Sequence, residues 1–103
     1  MINFNQNSFG QKLRVNFGQD ISTATLLEMK IEPESGDEID KTPTLGTADV
    51  EVGDETFEAD QYVEYETEEG DFEDYTGRYR VKAIATLPTE TISTDYVLFR
   101  VMP

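Results

Sequence analysis

The sequence predicts an all-β chain folded as an antiparallel β-sandwich of about seven short strands, and two observations carry that prediction. Apolar and polar residues alternate with a period of two in six separate stretches, with turn-forming residues between them. No stretch carries a convincing amphipathic helical pattern. The 103 residues suffice for one such core and not for a second. A net charge of -14 and a mean hydropathy of -0.54 approach the composition of chains that stay unfolded, because ordering costs about 1–2 kcal/mol per residue. Against that, 11% of the residues are Phe or Tyr, and the apolar positions alternate, which a solvated tail has no reason to do. A folded domain with an acidic surface is expected.

Residues 1–8 precede the first alternating stretch and hold only Ile2 and Phe4 as apolar anchors among Asn and Gln. They read as an N-terminal arm that docks on a neighbour, or as a frayed terminus, with residues 9–103 forming the single sandwich domain. Lys12 to Phe17 opens that domain with Leu13, Val15 and Phe17 on one face, and Gly18-Gln19-Asp20 ends it. From Thr25 to Glu32, Leu27, Met29 and Ile31 alternate with Glu28, Lys30 and Glu32 until Pro33-Glu34-Ser35-Gly36 makes a turn. A helix there would be cut by Pro33 to about two turns, so the strand fits better.

A polar connector follows, then a short strand with Ala48, Val50 and Val52 on one face, ended by Gly53-Asp54. Tyr62 to Glu66 is a fourth strand whose inner face is either Val63 and Tyr65 or Tyr62 and its neighbours; the pattern leaves both registers open. Gly77 to Leu87 is the longest strand, with Tyr79, Val81, Ala83, Ala85 and Leu87 inside and Arg78, Arg80 and Lys82 outside. Tyr96 to Met102 closes the domain, Val97, Phe99 and Val101 alternating with Leu98 and Arg100. The core is expected from Leu13, Val15, Leu27, Met29, Tyr79, Val81, Phe99 and Val101.

Composition excludes several functions. Twenty-two acidic against eight basic residues disfavour binding to nucleic-acid phosphates. The chain has neither Cys nor His, so there is no disulfide and the usual zinc, haem and copper sites lose their ligands. No signal-peptide pattern follows Met1 and no apolar run is long enough to span a membrane, so no membrane association is expected. The charge is lopsided: Glu32 to Asp74 holds eighteen acidic residues and one basic, Lys41, for -17, while the rest of the chain carries +3. If the central strands share one sheet, that side attracts a basic partner.

Paired carboxylates of a glycosidase occur by accident in so acidic a chain, and no Trp is present to stack a sugar. Glu68 to Asp74 concentrates possible calcium ligands without the EF-hand spacing, and a solvated acidic loop explains it as well. Two non-enzymatic rivals remain. An acidic mimic of DNA or inhibitor would bind a basic enzyme, and a carbohydrate-binding module would need an aromatic platform from Tyr62, Tyr65, Phe72 and Tyr75.

The strongest local signal is Asp74-Tyr75-Thr76-Gly77-Arg78-Tyr79-Arg80-Val81. It resembles the corner before strand F of immunoglobulin-like sandwiches, where a Tyr two residues before an inward position returns its hydroxyl to nearby backbone. Asp74, Gly77 and Tyr79 would form that structural corner, with Val81 where antibody domains carry Cys. The expected fold is thus immunoglobulin-like.

From Phe9 to Val101 the chain is similar to small bacteriophage virion proteins and to the N-terminal domain of phage baseplate upper proteins. The stretches that carry the likeness are Phe9 to Val15, Asp20-Ile21-Ser22, Ile31 to Gly36, Gly77 to Val81 and Phe99-Arg100-Val101. The resemblance implies a non-enzymatic virion component, an adaptor or decoration subunit docking on tail, baseplate or capsid proteins and on copies of itself. It implies no catalytic residue and no cofactor. Such baseplate proteins often bear longer C-terminal coiled-coil or receptor-binding extensions, and without one a stand-alone accessory subunit is expected, with Ile2 and Phe4 of the arm as candidate docking contacts.

Overall fold

The computed structural model describes residues 2–103; the side chain of Ile2, named above as a docking contact, lies outside the described residues. Eleven strands and no helix occur among them. In chain order these are β1 (Ile2–Asn5), β2 (Lys12–Asn16), β3 (Leu26–Pro33), β4 (Ile39–Lys41), β5 (Thr44–Leu45), β6 (Val50–Val52), β7 (Glu55–Phe57), β8 (Tyr62–Glu66), β9 (Gly77–Thr86), β10 (Thr91–Ser93) and β11 (Val97–Met102). The six alternating stretches are β2, β3, β6, β8, β9 and β11. The other five are two to four residues long; β6 is itself only three, and was legible because the alternation runs back from it through Asp49 and Ala48.

The strands form a sandwich. The larger sheet has the order β1-β11-β9-β3-β4, and the smaller β2-β8-β5. Long β9 organises the first: its N-terminal half pairs with β11 from Gly77 to Val81, and its C-terminal half pairs with β10 from Ile84 to Thr86. On its other side β3 follows it in register from Leu26–Thr86 to Pro33–Tyr79. With β2, β8 and β5 facing β3, β9 and β11, the connectivity is that of an immunoglobulin-like sandwich. One pair departs from the all-antiparallel expectation: β1 runs parallel to β11, Ile2 opposite Phe99 and Asn5 opposite Met102. After β1 the chain crosses to the other sheet before turning back, so β1 and β2 are not a hairpin.

The core fills the space between the sheets. Leu13, Val15, Val63 and Tyr65 come from the smaller sheet and meet Met29, Ile31, Val81, Ala83, Ala85, Phe99 and Val101 of the larger. Of the expected core, Leu27 alone is only half-buried, at the rim of this cluster. Val97 sits on the inner side opposite Val81, yet is 40% exposed, because it borders an open groove with Asn16, Phe17 and Ile92. At one end four rings close the sandwich, with Phe99 lying 5.4 Å from Phe4, 5.9 Å from Phe72 and 5.2 Å from Tyr79. Such ring pairs add about 0.5–1.5 kcal/mol each to the burial itself.

That cluster corrects the reading of residues 1–8 as a docking arm. Phe4 is 4% exposed and belongs to the chain's own core. The Gln6 amide donates to the carbonyls of Phe72 and Glu73 at 3.1 and 3.0 Å, and the Gln6 backbone N–H donates to Met102 at 2.7 Å. Ile-Asn-Phe-Asn does alternate, but four residues are too few to signal a strand without the edge of β11 to receive them.

Both registers left open for Tyr62 to Glu66 are satisfied at once. Val63 and Tyr65 face the core, while Tyr62 points to the opposite side and is still buried, at 2%. The β6–β7 hairpin covers it, Phe57 packing against the Tyr62 ring at 5.4 Å, and the Tyr62 hydroxyl donates to the Ala48 carbonyl at 2.9 Å. Gly46 lies beneath the ring, where a Cβ would stand 2.0 Å from its Cζ.

Candidate functional site

The residues singled out at the corner come together in part. Tyr79 is buried near the start of β9 and its hydroxyl donates to the Tyr75 carbonyl at 2.7 Å, four residues upstream. Gly77 has φ of 129°, a conformation closed to most side chains, and a Cβ there would meet the Tyr75 hydroxyl at 3.0 Å. Asp74 is exposed and acts on the corner by charge alone. Burial, followed by the charges of Asp74 and Tyr75, pushes the Tyr79 pKa up to about 12. A neutral, hydrogen-bonded phenol locks a turn and offers no nucleophile at neutral pH.

The acidic loop before it is anchored through Asp71. Its Oδ2 accepts from the Tyr65 hydroxyl at 2.7 Å and the Glu68 N–H at 2.8 Å, and its Oδ1 pairs with Lys41 Nζ at 3.0 Å. Burial works against the charged carboxylate, but the Glu68 N–H, Tyr65 hydroxyl and Lys41 donors outweigh it and hold Asp71 below the usual carboxylate range. Desolvation first, then the bond to Asp71, raises Tyr65 to about 12. Among the described residues, no three acidic side chains converge as metal ligands. Nor do the four candidate rings form the platform a sugar would need, since Tyr62, Tyr65 and Phe72 are 2%, 7% and 3% exposed and Tyr75 is half-buried against Tyr79.

Most of the positive charge is gathered elsewhere, on the outer face of the larger sheet. The inward run of Tyr79, Val81, Ala83 and Ala85 forces Arg78, Arg80 and Lys82 outward, and the same alternation sends out Lys30 on β3 and Arg100 on β11. Five of the eight cations therefore share one face. Two of them are ion-paired: Arg80 Nε lies 2.6 Å from Glu32 Oε2, and Lys30 Nζ 3.1 Å from Asp40 Oδ1. Arg80 and Lys82 also cover the Tyr96 ring, at 4.0 and 5.1 Å from its centroid.

Arg78 and Arg100 are different. They sit directly opposite each other across the β9–β11 ladder, a like-charge placement that costs stability in a sheet. Among the described residues neither has an ion-pair partner, although the chain carries 22 carboxylates. Asn3 continues their row on β1, while Leu98 and Met102, 56% and 42% exposed, flank Arg100 along β11. Together these five side chains line a shallow depression.

Arg78, Arg80 and Lys82 were legible as an outward row, but their junction with Arg100, Leu98 and Asn3 was not, because it depends on which strands lie beside β9. The back of the molecule carries the opposite sign. Around the β6–β7 hairpin, Asp49, Glu51, Asp54, Glu55 and Glu58 are all exposed, with Val52 at the tip 44% exposed.

No family model, no curated protein and no solved structure matches this chain.

Proposed function

We propose that this protein is a non-enzymatic docking subunit of a phage particle, an accessory adaptor or decoration protein that binds tail, baseplate or capsid proteins through the outer face of its larger sheet. Its partners are other virion proteins and copies of itself, and its location is the virion. The phage setting rests on the likeness of the stretches between Phe9 and Val101 to small virion proteins. The docking role rests on one observation: two cross-strand arginines without ion-pair partners among the described residues, beside exposed Leu98 and Met102, on a sheet braced from behind by the core. Exposed apolar side chains ringed by charge are the composition of a protein interface.

The test is co-sedimentation of the full chain with purified virion shells and tail complexes. Saturable binding that Arg78→Glu with Arg100→Glu abolishes supports the reading. Absence of binding to any particle, together with stoichiometric, salt-sensitive binding to a soluble basic protein, would replace it with the acidic mimic, for which the exposed carboxylates around β6–β7 are the contact.

A further inference from the structure

We infer that the arginine face of one copy receives the acidic β6–β7 tip of a second copy, so that the protein associates head to tail. The inference deepens the docking role proposed above by naming an occupant for the face. Its first support is the match of chemistry. The face offers Arg78 and Arg100 around Leu98 and Met102; the tip offers Glu51, Asp54 and Glu55 around Val52. Each is a small apolar centre with charged surroundings, and the signs are opposite.

The second support is their placement. The arginines lie on the outer face of the larger sheet, whereas Phe57 seats the hairpin on Tyr62, on the outer face of the smaller one. The two patches therefore look away from each other across the sandwich and cannot meet within one molecule. A contact between unlike patches is heterologous, and it propagates into a ring or an open chain rather than stopping at a two-fold dimer.

The net charge of -14 opposes any self-association at long range. At physiological ionic strength, however, the screening length is about 8 Å, so the outcome at contact is decided by the groups that touch. Association should therefore strengthen from about 10 mM to about 150 mM salt, as the overall repulsion is screened, and weaken toward 1 M, as the local pairing is screened too. Contact through Leu98, Val52 and Met102 alone would only strengthen with salt.

The experiment is sedimentation velocity on the full chain across protein and salt concentrations. Two variants accompany the wild type, Arg78→Glu with Arg100→Glu and Glu51→Lys with Glu55→Lys. All four positions are exposed, and circular dichroism verifies that each variant is folded. Wild type is expected to form species larger than dimers, and each variant alone to associate at least about tenfold more weakly. Mixed together, the two variants join the intact tip of one to the intact face of the other, and the reversed face meets a reversed tip of opposite charge, so the mixture should regain the association that each variant alone has lost.

A wild type that stays monomeric at millimolar concentration in about 150 mM salt overturns the inference, as does association that the arginine variant leaves unchanged. Particle binding that depends on Arg78 and Arg100 in a monomeric protein would retain the docking role and remove the second copy as occupant. Self-association without particle binding would do the reverse.

Discussion

Replacing Gly46 with Ala tests how the hairpin is held to the sandwich. Gly46 does not have a positive φ, so Ala is acceptable to the backbone and would ordinarily stabilise by about 0.4–1 kcal/mol through the unfolded chain. Here the new methyl would lie 2.0 Å from Cζ of Tyr62, against an ordinary contact of at least 3.4 Å. The backbone has no room to withdraw: the Gly46 N–H donates to Tyr62 at 2.9 Å and its carbonyl accepts from Asp60 at 2.8 Å. The Tyr62 ring must move instead, straining its packing on Phe57 and its bond to Ala48.

Overpacking of this kind costs about 1–3 kcal/mol, and the displaced hydroxyl about 1 more. After the unfolded-state gain, a net loss of about 1–3.5 kcal/mol is expected, read from urea unfolding followed by far-ultraviolet circular dichroism. In a Tyr62→Ala background the clash is gone, and Gly46→Ala should be neutral or stabilising by about 0.5 kcal/mol. A loss below about 0.5 kcal/mol in the wild type, or an equal loss in both backgrounds, would refute the packing of β6–β7 on β8.

Three further outcomes follow from the same contacts. Tyr79→Phe removes the donor to the Tyr75 carbonyl and should cost about 1–2 kcal/mol at pH 7. Because the Tyr79 pKa rises from 10.0 to about 12, its stabilisation is complete below pH 10 and is lost as the pH climbs through 12, so the gap to Tyr79→Phe should close over that window in alkaline unfolding titrations. Asp71→Asn removes the charge paired with Lys41 and leaves one acceptor oxygen where there were two, and should cost about 2–3 kcal/mol at pH 7, with a gap to wild type that narrows in acid unfolding titrations. The sign follows from the lowered pKa: the contribution is complete above the unfolded value near 3.8 and is lost as the pH falls through the lower folded one. Phe4→Ala should cost about 3–4 kcal/mol in urea unfolding while Asn3→Ala, on the outer side of the same strand, stays within about 0.5 kcal/mol; a neutral Phe4→Ala would return the segment to the status of an arm.

The fold class, the six alternating strands and most of the core were legible from local pattern alone. Alternation is a local property, and in β9 the four alternate inward residues Tyr79, Val81, Ala83 and Ala85 leave no other register. The corner at Tyr79 was legible for the same reason, since its bond reaches back only four residues. Tertiary structure decided what depends on neighbours distant in the chain. Tyr62 is buried on the outer side of its sheet because residues 50–57 return to cover it. Phe4 is core because β11, nearly a hundred residues later, offers its edge to β1. Arg78 and Arg100 are twenty-two positions apart in sequence and directly opposite across a ladder. A pattern of period two says which way a side chain points, and only the packed fold says what it meets there.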